Sequence, residues 1–202
     1  DNYQEILEPY IQNGVVHLIE WPSVQEESDW FNYTFNVQSV AYQDCIYKIK
    51  EKTKWLALID IDEFIVPVIS DDVPSILEGN FSDVSGLCIN WVMFGTSGIW
   101  EVKEGEYMID KLTYRAKIDH PRNFIYKSIV QPDHVIRCEN PHLCLFKPSH
   151  FHVNTNRERV ADVASHSVCI DKLRIHHYWS KDEKFFSEQK IPRYFKWGTS
   201  EE

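Results

Sequence analysis

The chain has 202 residues, 43% of them hydrophobic and 26% charged, a balance that fits one globular domain. With 31 acidic against 21 basic residues the formal charge is −10, which disfavours a nucleic-acid binder built on a basic face and leaves any anionic ligand dependent on a local cation. No apolar run approaches the roughly 20 residues of a membrane helix, and five cysteines do not make a complete disulfide framework.

In chain order, the first element reads as a helix. Leu7, Tyr10 and Ile11 share one face, and Gly14 stops it. The β-branched run VVHLIEW, residues 15–21, reads as a short strand ended by Pro22. A polar loop with Glu26, Glu27, Ser28 and Asp29 follows. Val37, Val40, Ala41, Cys45 and Ile49 then fall at spacings of three and four, the pattern of a long amphipathic helix. Lys48, Lys50, Lys52 and Lys54 crowd its end, where cations suit the helix dipole.

The run WLALI, residues 55–59, is apolar on both faces. That marks a strand covered on both sides, as in a parallel sheet. The alternation of helix and strand predicts an α/β fold with a mixed, mostly parallel sheet flanked by helices. A short helix at residues 73–77 and another apolar strand at residues 87–91 follow. Residues 107–151 alternate without long helices, which suggests antiparallel strands and loops. Ser180, Lys181, Asp182 and Glu183 read as a capping box opening a last helix, with Phe185, Phe186 and Gln189 along it.

The stretch WLALIDIDEF sets Asp60, Asp62 and Glu63 at the end of the apolar strand. In open α/β sheets ligands bind at the carboxyl ends of strands. Residues i and i+2 of extended backbone point to one side, and two close carboxylates stay ionised cheaply only beside a cation. Hard cations such as Mg2+ are commonly held by one or two carboxylates plus substrate phosphates. Asp60 and Asp62 therefore read as ligands of a metal that grips a diphosphate, and a glycosidase carboxylate pair is the alternative use.

The ordered stretches LEPYIQNGVV, AYQDCI, KWLALIDIDEFIVP, NWVMFGTSG, KSIVQP and IHHYWSKDEKFFSEQK span nearly the whole chain. Together they resemble glycosyltransferase family 92 and related bacterial transferases. The resemblance implies a single GT-A-like domain over residues 1–202 and metal-assisted, inverting transfer of a hexose, often galactose, from a UDP-sugar to a glycan. It matches Asp60 and Asp62 to the metal motif of that family, with Mn2+ or Mg2+ as the ion. It matches His177 and Tyr178 to a late His-Tyr motif, with His177 as a further ligand and His176 as the neighbouring alternative. In that fold a strand ahead of these stretches binds uridine. The chain begins at Asp1 and Asn2, where the segment after that strand would lie, so the domain is read as N-terminally incomplete by about one strand–helix unit of ~30 residues.

The remaining candidates are residue readings. Trp91 and Gly95 run from a strand into a loop, where an indole stacks on a sugar and a glycine lets a ligand approach. Lys127 could neutralise a phosphate and Tyr178 could contact substrate. The general base that an inverting transfer needs is unassigned among Glu63, Asp119, His120 and Asp133. Cys138, Cys144, His150 and His152 are possible zinc ligands; a Cys138–Cys144 disulfide or plain packing reads as the simpler use.

The expected partners are a UDP-sugar donor and a glycan acceptor, no nucleic acid, and a membrane only through segments outside this chain. A sugar-binding module without turnover is the second function that the aromatics suit. The triplets at Asn32 and Asn80 are glycosylation sequons. The compartment stays open: a Golgi lumen for a eukaryotic member, the cytoplasm or its membrane face for a bacterial one.

Overall fold

A computed structural model describes residues 2–21 and 30–196. Two helices, α1 (Tyr3–Gln12) and α2 (Trp30–Ile49), precede β1 (Leu56–Leu58) and β2 (Glu63–Pro67). Helix α3 (Val73–Asn80) leads into β3 (Gly86–Met93). After α4 (Met108–Lys111) and a 3-10 turn at Pro121–Phe124 comes β4 (Tyr126–Val130). A second 3-10 turn, Pro132–His134, opens the hairpin of β5 (Val135–Cys138) and β6 (Cys144–Phe146). Strands β7 (His152–Asn154), β8 (Arg159–Val160) and β9 (Leu173–His177) follow. The last described element is a helical run of α5 (Glu183–Phe185), π-helical Phe186–Lys190 and α6 (Ile191–Lys196).

The fold is α/β, and one mixed sheet organises it around β3. On one side β3 pairs antiparallel with β4, which pairs antiparallel with β1. On the other side its first half runs parallel to β7 and its second half parallel to β9. Strand β2 closes that end antiparallel to β9, and β8 flanks β7. The sheet is thus mostly antiparallel, which corrects the expectation of a mostly parallel one. An apolar run reports that both faces are covered, and it says nothing about the direction of the neighbouring strand. Two antiparallel steps still give β1 the sense of β3, so β1, β3 and β9 all end at the same edge.

Strand β3 is buried along its length except at its last residue, Met93. Leu87 and Ile89 are fully buried with Ile76, Leu77, Leu173 and Ile175. Each such side chain contributes about 2–3 kcal/mol of hydrophobic stabilisation. A second core forms where Ile46 of α2 meets Leu58, Val130 and the β5–β6 hairpin. Helix α2 forms where the spacing expects it, but the face it lays on the sheet is that of Tyr42 and Ile46, and Val40 of the expected stripe is exposed. Helix α3 starts on Asp72, whose side chain accepts the Ser75 amide at 2.7 Å.

Two local expectations fail. Residues 15–21 join no strand among the described residues. Glu20 is held back on α1 by Tyr3 and Gln4, and Val15 is exposed. The run has β propensity and no sheet edge to satisfy. Pro22 and the loop through Asp29 lie outside the described residues. The last helix is capped by Asp182, whose carboxylate accepts the Phe185 amide at 2.8 Å, and not by Ser180, whose hydroxyl turns to the Phe94 carbonyl. No helix among the described residues is long and apolar enough to cross a membrane.

Candidate active site

The acidic stretch forms the turn between β1 and β2. Asp60 and Asp62 sit in that turn, and Glu63 opens β2 directly opposite His177 at the end of β9. Met93 of β3 pairs with His177 from the other side. The carboxyl ends of three strands therefore meet at one place, as expected for a ligand site.

The carboxylates have different surroundings. Asp60 Oδ2 accepts from the Lys127 ammonium at 3.0 Å, and Oδ1 accepts from Gln38 Nε2 at 2.8 Å. Burial opposes its charge, but Lys127 and Gln38 outweigh that and hold its carboxyl below the ordinary range. Lys127 is 1% exposed. It lies on β4, and its ammonium is paired with Asp60 and stands 3.9 Å from Glu63 Oε2. Glu63 is fully buried; one oxygen accepts the Asp60 amide at 2.9 Å and the other, Oε1, has no partner. Burial pushes its carboxyl up to about 8.

Asp62 Oδ1 lies 3.7 Å from His177 Nε2. The other ring nitrogen, Nδ1, is buried without a hydrogen-bond partner, 3.9 Å from the orphaned Glu63 Oε1. Burial depresses the His177 imidazole to about 4, so it is neutral near pH 7. A neutral imidazole with a carboxyl behind one nitrogen and an aspartate beside the other has the donor chemistry of a metal ligand. Among the described residues no three His, Cys, Asp or Glu side chains converge enough to hold an ion alone. The residues fit an ion that takes Asp62 and His177 from the protein and further oxygens from a ligand, as Mg2+ commonly does. His176 faces the other way; its Nε2 accepts from Arg174 and its ring packs on Phe94.

His177 also lines a cavity of about 820 Å³. Trp91, Gly95, Trp179 and Tyr194 contribute to its wall, with Arg115, Arg122 and Lys190 as cations. The helical run supplies Phe186, Lys190, Ile191, Tyr194 and Phe195 to it, residues at the three-to-five spacing of one helix face. Lys190 stands over the Trp179 ring at 4.8 Å. Burial lowers its ammonium pKa, with Asp62 working in the opposite sense. These are the local cations that an anionic ligand of an acidic chain requires.

Of the predicted site residues, the structure brings Trp91, Gly95 and His177 to the cavity and Asp60, Asp62, Glu63 and Lys127 to its shoulder. Tyr178 is buried against Phe94 and Phe64, while its neighbour Trp179 faces the cavity. Among the candidate bases only His120 lines the cavity. Asp119 is exposed, and Asp133 lines a separate small hollow with Lys50, Lys52 and Lys54. The zinc reading is corrected. His150 bonds to Ser85, His152 sits against Ser128 and Phe146, and neither joins the cysteines in a ligand cluster among the described residues. All five cysteines are free thiols.

Sequence reasoning missed Gln38, Tyr42, Arg115, Arg122, Trp179 and Lys190. Tyr42, whose hydroxyl lies 3.5 Å from Asp60 Oδ1, and Trp179 and Lys190 all stood inside quoted stretches; Gln38, Arg115 and Arg122 carry no local signal.

Comparison with known proteins bears directly on this arrangement. The family model for glycosyltransferase family 92 matches residues 1–199. The chain belongs to glycosyltransferase family 92. Within family 92, the chain is similar to a protein of Caenorhabditis elegans named as a member, 32% identical over 78 residues, 35% of this chain and 16% of that protein. It is also similar to a galactan beta-1,4-galactosyltransferase of Arabidopsis thaliana, 28% identical over 137 residues, 65% of this chain and 26% of that protein. The chain thus spans well under half the length of either curated relative. Family 92 membership covers both the DIDEF turn and the late His177-containing strand, the two segments that the fold brings together.

Proposed function

We propose that this family 92 chain carries the catalytic site of a metal-assisted glycosyltransferase. The reaction transfers a hexose from a UDP-sugar to a hydroxyl of a glycan, with inversion. Galactose is the favoured sugar, because a similar protein is named a galactosyltransferase. The observation that carries the reading is the meeting of Asp62 and His177 at the rim of an aromatic, cation-lined cavity.

Asp62 and His177 would hold Mn2+ or Mg2+. Such an ion neutralises the charge that grows on the departing diphosphate. The protein's own parts have separable tasks. Lys127 and Gln38 fix the turn through Asp60, which makes Asp60 a residue that shapes the site and adds negative potential beside the ion. Glu63 stands behind the His177 ring, its Oε1 3.9 Å from Nδ1. Lys190, Arg115 and Arg122 attract the anionic donor in an otherwise acidic protein. Trp91 and Trp179 offer flat apolar faces to sugar rings. His120, on the cavity wall, is the proposed base that takes the acceptor proton.

The hydrolase alternative needs two carboxyl groups facing one sugar. Asp60 is tied to Lys127 and Glu63 is fully buried, which argues against it. The test is a donor-sugar assay on the full natural chain with UDP-galactose and a galactan acceptor. The proposal expects UDP release that needs both acceptor and Mn2+ and stops with EDTA. Sugar release from glycan in EDTA, with no use of UDP-galactose, would overturn it in favour of hydrolysis. Glycan binding without turnover of any UDP-hexose would overturn it in favour of a sugar-binding module.

A further inference from the structure

Cys138 and Cys144 face each other as a directly opposed pair across the β5–β6 hairpin. Both are buried thiols, and their sulfurs touch at 3.1 Å. The Cys138 amide donates to Gln43 Oε1 of α2 at 2.9 Å, away from the partner strand. Opposed residues that do not exchange ladder bonds have Cα atoms about 4.5 Å apart, within the span that a disulfide bridges. The surroundings are apolar: Ile46, Leu58, Val130, Val135 and Phe146.

Other uses of the pair find no support. No metal cluster includes it among the described residues. The Cys144 thiol is raised first by its hydrogen bond with Cys138 and then by burial, so thiol–disulfide exchange through it is slow. The loop that the pair closes is, however, tied closely to the site. Asn140 Oδ1 accepts the amides of His142 and Leu143. The Ser128 hydroxyl donates to the His142 carbonyl at 2.6 Å, and His142 Nδ1 meets the Tyr126 carbonyl at 2.8 Å. The His142 ring then lies edge-on to Trp91, its centroid 5.7 Å away. The loop is thus docked on β4 on either side of Lys127 and forms the backing of a cavity residue.

We infer that Cys138 and Cys144 become a disulfide in an oxidising compartment, and that this bond fastens both roots of the loop that carries His142 to Trp91. A small disulfide such as oxidised glutathione is the oxidant. One cysteine thiolate attacks it and releases one glutathione thiol; the second cysteine then displaces the other. The pair loses two protons and two electrons and gains the S–S bond, and the oxidant ends as two thiols. Cys45 on α2 is near enough to Cys138 to interact with it electrostatically, but the sulfur contact is between Cys138 and Cys144, and Cys88 and Cys169 are buried thiols away from that contact.

The test uses the full chain produced through an oxidising secretory route. Free thiols are blocked with iodoacetamide in denaturant without reductant, and the digest is analysed by mass spectrometry. The expected result is blocked Cys45, Cys88 and Cys169 and a linked Cys138–Cys144 peptide. Five blocked cysteines after prolonged equilibration with oxidised glutathione, or a linkage that includes Cys45, would overturn the inference. Hydrogen exchange tests the second half. The amides of His142 and Leu143 are expected to exchange about tenfold more slowly in the linked protein than after reduction. Equal exchange in both forms would show that the bond does not fasten the loop.

Discussion

The Lys127 ammonium, at 1% exposure, lies 3.0 Å from Asp60 Oδ2 and 3.9 Å from Glu63 Oε2. One enclosed cation thus serves two carboxyl groups at the base of the site. Replacing it by methionine removes the charge and leaves Asp60 uncompensated. The expected cost is about 1–3 kcal/mol, below that of breaking a fully buried pair because the Asp60 side chain is 39% exposed. Urea unfolding at pH 7 measures it. Lys54→Met, which removes an exposed partner of Glu78, should cost under about 1 kcal/mol. Equal costs for the two variants would mean that Lys127 is not the internal counter-charge described here.

Asp60 and Asp62 should separate on substitution. Asp62→Asn in the full natural chain is expected to lower transfer by at least about a hundredfold, as loss of a metal ligand does, and to shift the melting temperature little. Its backbone carbonyl still accepts the Tyr178 amide. Asp60→Asn should instead cost stability, because it strands Lys127. Steady-state assays paired with thermal melts of both variants check this, and unchanged turnover in Asp62→Asn would refute its role.

The pH dependence of stability follows from three histidines and one glutamate. Burial depresses His152, His176 and His177 to about 4 from 6.5. The unfolded chain then binds more protons than the fold between those values. Their contribution is complete above about pH 6.5 and is lost as pH falls towards 4. Glu63 acts oppositely: its folded value of about 8 against 4.5 gives stability that is complete below 4.5 and lost as pH rises through 8. Melting temperature should therefore peak near neutrality and fall on both sides. His152 is the cleanest probe, since burial is its sole cause. His152→Gln should flatten the acid limb by up to about 1.4 kcal/mol per pH unit.

Gly86 is required by space. A Cβ there would lie 2.5 Å from the His152 ring and 2.6 Å from the Phe146 ring. Gly86→Ala forces both buried rings aside and should cost about 1–3 kcal/mol. Gly79→Ala, with open space around it, should be neutral or slightly stabilising, since alanine suits a helix better. Chemical denaturation of both variants gives the comparison.

Much of this site could be read before its structure was known. The spacing of Val37, Val40, Ala41, Cys45 and Ile49 located α2 but not the face it lays on the sheet, the mostly apolar run at 87–91 located β3, and the crowded carboxylates of the DIDEF stretch were expected at a strand end, where the fold places them. Other features depend on contacts that sequence spacing does not encode. Lys127 looks like a surface residue until Asp60, distant in the chain, is folded beside it. WLALI looks parallel because α2 and α3 cover it from both sides, whatever its neighbour's direction. Residues 15–21 have strand chemistry, but a strand exists only where an edge receives it. His176 and His177 cannot be told apart by type; the alternation of β9 sends one to Arg174 and the other to Asp62.

The central claim is that Asp62 and His177 hold an ion that receives a diphosphate. Isothermal titration of UDP into the full natural chain, with Mn2+ and then with EDTA, tests it most directly. Binding heat is expected only when Mn2+ is present, and it should be lost in both Asp62→Asn and His177→Ala. Equal UDP affinity in EDTA, or affinity untouched by both substitutions, would contradict it.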